Sequence, residues 1–278
     1  MNLIIAQFAH IEAGSRIFSE YLESQCKRQK IDLVVLGEYV ANHFFKEYHN
    51  KGILKREFEL QKAYFSALSK EFGIAIVAPL IECAESKGEL KGSGAKNAGE
   101  KIYKSIAIFE TGKVRFYRAS RLMDFPHWNE VAFFDNEVIS SVDSHPKSRI
   151  KEPIIFSVGG FKVSAIFGWE AHFDEIFINL RKKGVDILCV PTASSFGSNA
   201  RWQRLLQTRS FLNNCFIVRV NRTGNFMESS VVWDFYGESF IALPDGSLGD
   251  MMGARDGILV SEIRTEMLDE IKDSWRFR

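Results

Sequence analysis

Five short apolar runs, of five to eight residues each, are the feature that most limits how this chain can fold. They lie at residues 2–8, 32–36, 74–81, 185–190 and 216–220. Continuous apolar runs of this length are typical of strands that are buried on both faces. Segments with apolar residues near helical spacing lie between them, at residues 11–28, 56–72, 171–183 and 200–213. This alternation of strands and helices predicts an α/β fold.

Turn residues predict that antiparallel strands are added to the buried ones. Thr111-Gly112 separates strands predicted at 103–110 and 113–118, and Gly159-Gly160 separates those at 154–158 and 161–167. We also expect an exposed connection at 84–100, an irregular segment at 119–150 and three short strands within 229–262. A helical tail is predicted from Glu266. No linker or fixed-period repeat divides the chain, so residues 1–278 are predicted to form a single domain.

The charge and composition exclude several functional classes. Lys and Arg number 36 and Asp and Glu 35, and this balance argues against a nucleic-acid-binding face. No apolar run reaches the roughly 18 residues that cross a bilayer, and the first residues lack the basic start of a signal peptide. The four cysteines stand alone, which argues against a disulfide framework. We therefore expect a cytoplasmic protein with no metal, no cofactor, and no membrane or nucleic-acid partner.

Candidate reactive residues lie where predicted strands end. The sequence has no phosphate-binding glycine loop, dinucleotide fingerprint or zinc-protease motif, and its six His are scattered. Glu38 follows one buried strand, residues 117–122 end another, and Gly168-Trp169-Glu170 forms a strand-to-helix turn. Open α/β sheets place their sites at such strand ends. These three segments are therefore predicted to form the site.

Eight segments in a fixed order carry a wider pattern. They are residues 2–8, 33–39, 113–122, 167–175, 190–193, 202–213, 220–224 and 237–246. Asn221-Arg222-Thr223-Gly224, for example, matches the motif Asn-Arg-x-Gly. Together the segments resemble the nitrilase, or carbon–nitrogen hydrolase, superfamily nearly from end to end. The resemblance implies a four-layer α-β-β-α sandwich. It also implies a homodimer, with Trp202, Phe211 and the Trp275/Phe277 tail as candidate contacts.

The resemblance also implies a chemistry and the positions that carry it. In the family, a Cys attacks an amide or nitrile carbon, a Lys holds the oxyanion and a Glu acts as general base. The base falls on Glu38, and a second, supporting Glu falls on Glu130, four residues before Phe134. The Lys position falls on Ala119 and the Cys position on Gly168. Two of the four polar positions are thus empty, and loss of the nucleophile abolishes a covalent mechanism.

Several neighbouring residues are expected to shape a binding pocket. The Trp169 backbone N–H remains as an oxyanion donor, and the N-terminus of a helix starting at Ala171 would favour a small anion. Thr192 and Ala193 are expected to line the pocket. Gly168 is expected to relieve the backbone strain of a turn with positive φ.

Two close carboxylates without the Lys should repel, which raises one pKa. We expect one of three compensations for Glu38 and Glu130: the Arg121 guanidinium enters, an amine or metal cation binds, or one Glu is protonated. For Arg121, a position at the rim or surface is an equal alternative.

The sequence leaves more than one function open. The first hypothesis is a family member without turnover that binds a small amide, amine or carboxylate, or a partner. The alternative is an amidohydrolase that cleaves the C–N bond of a small amide. It would act through a non-standard site, or in a natural form with Lys at position 119 and Cys at position 168.

Overall fold

The computed structural model describes residues 1–85, 100–137 and 151–275. Two six-stranded sheets form its centre. The predicted connection at 84–100 lies almost wholly outside the described residues, as do Pro146 and Phe277. The α/β fold predicted from the alternation of strands and helices is confirmed.

The first sheet has the strand order β16-β1-β2-β3-β4-β5. Its strands are β1 (Asn2–Gln7), β2 (Leu33–Leu36), β3 (Ala75–Glu85), β4 (Glu100–Glu110), β5 (Lys113–Arg118) and β16 (Gly257–Glu262). Strands β1, β2 and β3 are parallel, and the outer strands are antiparallel to their neighbours. The three parallel strands therefore end at one edge of the sheet.

The second sheet has the order β15-β14-β11-β10-β9-β8. Its strands are β8 (Ile155–Val158), β9 (Phe161–Ala165), β10 (Ile187–Thr192), β11 (Phe216–Asn221), β14 (Phe240–Ala242) and β15 (Leu248–Met251). Here β9, β10 and β11 are parallel, and the outer strands are again antiparallel. The two sheets thus share one plan. Strand β2 packs against β10 and β11, so the sheets lie face to face.

The side chains of the first sheet alternate between two apolar cores, as the period of two along a strand requires. Leu3 and Ile5 of β1 join the core between the sheets, whereas Ile4 and Ala6 join a second core with the outer helices. Burial on both faces explains why these strands read as continuous apolar runs.

Five helices complete the described residues. They are α1 (Arg16–Arg28), α2 (Leu54–Phe72), α3 (Asp174–Lys182), α4 (Asn199–Asn213) and α5 (Thr265–Trp275). The first two cover the first sheet, and Gly73 ends α2 in the left-handed conformation. Helix α4 packs on β11 and β14 of the second sheet. This arrangement agrees with the expected four-layer sandwich.

Two two-stranded hairpins lie beside the sheets: β6 (Asp124–Phe125) with β7 (Trp128–Asn129), and β12 (Asn225–Glu228) with β13 (Val231–Asp234). The segment 229–262 contains four strands, so the prediction of three was wrong. Short strands with exposed faces have weak apolar patterns, which explains the miss. None of the described helices is both long and apolar enough to cross a membrane.

Candidate functional site

The site forms where the strand ends of the two sheets meet. Glu38 follows β2, Gly168 follows β9 and Thr192 ends β10. The backbone N–H groups of Glu38 and Arg222 both donate to the Thr192 carbonyl, each at 3.2 Å. The first of these hydrogen bonds joins the two sheets directly, so Glu38 is held beside Thr192 by backbone geometry.

A lysine that the sequence analysis missed lies between the two predicted carboxylates. The Lys104 Nζ is 2.5 Å from Oε1 of Glu38 and donates to Oε1 of Glu130, also at 2.5 Å. All three side chains are buried. The two predicted Glu residues are therefore brought together, and a cation from the chain itself links them.

Lys104 reaches this place from the strand next to Ala119. Ser105 of β4 pairs with Arg118 of β5, and the Ala119 N–H donates to the Lys104 carbonyl at 3.0 Å. Residues 104 and 119 are therefore cross-strand neighbours, whose side chains lie on one face of a sheet. Asn136 holds this pair, because its amide donates to the carbonyl oxygens of both residues. The hairpin predicted from strands 103–110 and 113–118 could have pointed to Lys104, since its register, continued by one residue, places residues 104 and 119 opposite each other.

Three further donors hold Glu130. The Tyr39 hydroxyl donates to Oε1 at 2.7 Å, the Trp128 indole N–H to Oε1 at 3.3 Å, and the Met123 backbone N–H to Oε2 at 3.2 Å. Tyr39 has a φ of 56°, which is uncommon for a residue with a Cβ. Such strain persists only where its surroundings enforce it.

Burial and charge tune the site electrostatically. Burial raises the pKa of Glu38 to about 7, with the Lys104 ammonium opposing this rise and the Glu130 carboxylate adding to it. Burial alone would lower the pKa of Lys104, but the carboxylates of Glu130 and Glu38 outweigh it and raise that pKa. The sequence predicted that the pKa of one of the two carboxyl groups is raised, and the raised pKa of Glu38 agrees with that direction.

The prediction that Arg121 enters the site is wrong. Its guanidinium pairs with the Glu175 carboxylate at 2.5 Å and lies over the Phe173 ring, 4.5 Å from the centroid. Lys104 already supplies the cation between Glu38 and Glu130, so Arg121 lies at the periphery. This agrees with the rim or surface position that was the alternative for Arg121.

Other side chains already fill the position that a side chain at Gly168 would take. A Cβ at this position would lie 2.5 Å from the Thr192 Cγ2 and 3.2 Å from Trp202. The Thr192 hydroxyl donates to Asn221 Oδ1 at 2.9 Å, and its methyl group is the part that faces Gly168. Gly168 does not have a positive φ, so the strain explanation was wrong. Space decides this position, because no side chain fits without movement of Thr192.

Glu170 closes the turn after Gly168. Its carboxylate accepts from the Tyr117 hydroxyl at 2.7 Å, the Ser120 N–H at 2.8 Å and the Phe167 N–H at 2.9 Å. Burial raises its pKa, and these hydrogen bonds oppose the rise. The turn Gly168–His172 is a 3-10 helix and α3 begins only at Asp174. The helix predicted at 171–183 is confirmed as α3, but its predicted start at Ala171 was wrong by three residues, which moves the helix N-terminus away from Gly168.

A cavity of about 340 Å³ opens at these strand ends. The predicted residues Glu38, Gly168, Trp169, Thr192 and Ala193 all line it. Its other lining residues are Met123, Phe125, His127, Trp128, His172, Ser194, Ser195, Phe196, Ser198, Arg201 and Trp202. Lys104 lies behind Glu38 and lines a separate space of about 10 Å³ with Phe167. Of the charged trio, Glu38 is thus the member that faces the large cavity.

Ser194 is a further cavity residue. Its side-chain oxygen is buried and has no hydrogen-bond partner among the residues that the structure describes. Buried hydroxyl groups are normally satisfied, so an unpaired one in a cavity wall indicates a contact for a ligand. In the described parts of the chain, no group of three or more His, Cys, Asp or Glu side chains is placed to hold a metal ion.

Comparison with known proteins places this geometry in a family. A family model described as carbon-nitrogen hydrolase matches residues 8–273. The chain belongs to the carbon–nitrogen hydrolase family. It is 23% identical to an N-carbamoylputrescine amidase of Arabidopsis thaliana, over 92% of this chain and 83% of the relative.

Solved structures of the family share the fold. A carbon-nitrogen hydrolase from Helicobacter pylori G27 superposes with a TM-score of 0.78 at 24% identity, covering 100% of this chain and 94% of that chain. A mutant of the amidase from Nesterenkonia sp. AN1 gives a TM-score of 0.73 at 17% identity, over 99% and 96% of the two chains. That structure carries the acetamide moiety of fluoroacetamide, added covalently at its active-site cysteine.

Two positions near the site differ from the residues that the family resemblance implies. Gly168 and Ala119 stand at the positions that resemble the family's Cys and Lys. Thr192 is no substitute nucleophile as placed, since its hydroxyl is directed to Asn221. The site thus combines the buried carboxyl of Glu38 with a cavity that is lined by aromatic side chains.

Proposed function

We propose that this carbon–nitrogen hydrolase-family protein binds a small ligand in the 340 Å³ cavity and does not turn over amides or nitriles. The observation that carries the proposal is the Thr192 methyl group, 2.5 Å from where a Cβ of residue 168 would lie. A nucleophilic side chain is thus missing, and one could be added only with movement of Thr192. Covalent attack needs a nucleophile within reach of the reacting carbon.

The buried charges support a ligand-binding role. An apolar replacement for a buried ion pair is often neutral or stabilising, so stability by itself gives little reason to keep one. Here the pair of carboxylates is kept and Lys104 balances it from another strand. Glu38 and Ser194 also present polar groups to the cavity. These features are expected of a site that still recognises a polar ligand.

Hydrolysis by an activated water is the second candidate. Glu38 faces the cavity with a pKa near 7, which suits a general base. It would take a proton from water as the oxygen attacks an amide carbon, and would return the proton to the departing amine. Against this mechanism, Lys104 lies behind Glu38, so the oxyanion has no lysine donor in the cavity.

A natural form with Lys at position 119 and Cys at position 168 fits the surroundings less well. A Lys at position 119 would compete with Lys104 for the same two carboxylates, and a Cys at position 168 would require Thr192 to move. Both changes would therefore require changes at residues 104 and 192.

Ammonia release from a panel of small amides, nitriles and N-carbamoyl compounds tests the proposal. We expect no release from the folded wild type. Glu38→Gln removes the cavity carboxyl, and Glu152→Gln, on the exposed surface, is the matched control. Release that is lost in Glu38→Gln and kept in Glu152→Gln would support the water mechanism and overturn the binding proposal.

We also propose that the chain is one domain, acts in the cytoplasm and forms a homodimer. All four cysteines are free thiols, as a reducing compartment favours. Ile178, Leu212 and Trp275, on the helices of the second sheet's side, expose apolar surface. Exposed apolar side chains on neighbouring helices favour a self-interface. Sedimentation at several concentrations would test the dimer.

A further inference from the structure

Resting on the proposed binding function, we propose that the cavity is selective for an organic ammonium ion, held between the Glu38 carboxylate, the Ser194 hydroxyl and the aromatic wall. An ammonium group has three hydrogen-bond donors and no acceptor. Glu38 and Ser194 both line the cavity, and a carboxylate and a hydroxyl oxygen can accept hydrogen bonds from an ammonium. A carboxylate ligand would instead meet Glu38 as a like charge.

The charge balance beneath the cavity favours a cation. Two carboxylates, Glu38 and Glu130, surround one ammonium, that of Lys104, which leaves one net negative charge when both are ionised. Glu170 adds a further negative charge and Arg222 a positive one. A bound ammonium would neutralise the remaining charge in a region where burial makes an unbalanced charge costly.

The cavity walls suit the same ligand. The Phe125 and Trp169 rings meet edge to face with centroids 5.5 Å apart, and His172 joins Trp169 to Trp202 at centroid distances of 5.0 and 5.5 Å. Trp128 lines the cavity as well. The faces of Trp and Phe rings attract cations, and indole does so most strongly. An aromatic wall above a carboxylate is a typical setting for an organic cation.

Other titratable groups of the cavity oppose the cation weakly or not at all. Burial lowers the pKa of His172, which favours its neutral form. Arg201 is exposed, so solvent and salt screen its charge. His127 is exposed at the rim and has its own control variant below.

The ligand and a proton compete for Glu38, so the direction in which affinity changes with pH distinguishes a cation from other ligands. An ammonium requires Glu38 ionised, so its affinity should rise as the pH increases through about 7. A neutral amide or a carboxylate would favour protonated Glu38 and bind more tightly at lower pH. From pH 6 to pH 8, ionisation of a group with a pKa near 7 changes cation affinity by about tenfold.

Calorimetric titration with three probes of similar size tests this: propylammonium, propionamide and propionate. We expect propylammonium to bind most tightly, about tenfold more weakly at pH 6 than at pH 8, and to release a proton near pH 7. Glu38→Gln should remove this binding. His127→Gln should keep both the binding and its pH dependence. Glu12→Gln is the matched control, because Glu12 lines a separate cavity with His10 and His43.

The possible failures are distinguishable. Tighter binding of propionate or propionamide, strongest at low pH, would overturn the cation inference and leave the binding function intact. Binding of none of the three probes would also overturn it. Ammonia release from propionamide in the same samples would overturn the proposed function itself. The wild-type pH dependence gives a result even if Glu38→Gln fails to fold.

Discussion

Replacement of Lys104 by Met should destabilise the protein strongly at neutral and higher pH. Met keeps the length of the side chain but removes the ammonium that lies 2.5 Å from both Glu38 and Glu130. Removal of one partner from a buried ion pair costs about 3–5 kcal/mol, because the remaining charge is left uncompensated. In a chain of this size, each kcal/mol shifts the melting temperature by roughly 2–4 °C. We expect a decrease of roughly 6–20 °C at pH 8.

The pH dependence of this loss is as informative as its size. Without Lys104, the pKa of at least one carboxyl should rise further, because the nearest opposing charge is gone. The variant should therefore recover part of its stability as the pH falls and the carboxyls take up protons. Thermal unfolding followed by circular dichroism at pH 5 and pH 8 measures both effects. Lys101→Met, an exposed position on the same strand, is the control and should have little effect.

A second substitution tests whether the cation is exchangeable between strands. Ala119 is the cross-strand neighbour of Lys104, so a lysine there should reach the same carboxylates. We expect Lys104→Ala with Ala119→Lys to be more stable than Lys104→Ala alone. A double variant no more stable than the single one would refute the idea that the two positions are equivalent. A Lys104→Met protein as stable as the wild type at pH 8 would refute the argument that Lys104 compensates the two carboxylates.

Three further perturbations follow from the same geometry. Gly168→Ala should lower the free energy of unfolding by about 1–3 kcal/mol, because the added methyl group overpacks against Thr192. Adding Thr192→Ser keeps the hydroxyl and removes the methyl group, so it should recover part of this loss in urea unfolding. Tyr39→Phe should cost about 1–3 kcal/mol, since it removes a donor from the buried Glu130 carboxylate; no change in the urea midpoint would contradict this. Glu38 binds a proton more tightly in the folded state, so wild-type stability should fall as the pH rises from 4.5 to about 7, and Glu38→Gln should flatten this slope.

Local pattern and motif order predicted the strands, their hairpins and most helices of this chain. The apolar runs predicted β2 and β10 because burial on both faces leaves them apolar, apart from Thr192 at the end of β10. The same approach placed Glu38 and Glu130 in one site only through the resemblance to a family, since residues 92 positions apart in sequence show no local signal. It placed the start of α3 three residues too early, because the Glu170 hydrogen bonds hold a 3-10 turn before the helix.

Lys104 shows most clearly where reasoning by aligned position reaches its limit. Comparison with a motif asks which residue stands at position 119, and the answer, Ala, implies that the cation is lost. Charge compensation depends instead on where the ammonium lies, and a neighbouring strand can supply it. A Lys in a strand that is otherwise buried was the available signal, because an unpaired buried lysine is rare.

The two empty positions are linked to their neighbours in different ways, and this difference supports the proposed loss of turnover. At position 119 the charge is replaced, but from behind Glu38, where it balances carboxylates without facing the cavity. At position 168 the space itself is filled by Thr192. Electrostatic balance and close packing are requirements of any folded protein, whereas oxyanion contact and nucleophilic attack are requirements of covalent catalysis. We propose that the site meets the first pair of requirements and lacks the nucleophile that the second pair needs, while Glu38, whose pKa is raised to about 7, still lines the aromatic cavity. Ligand recognition is the function that these remaining features can perform.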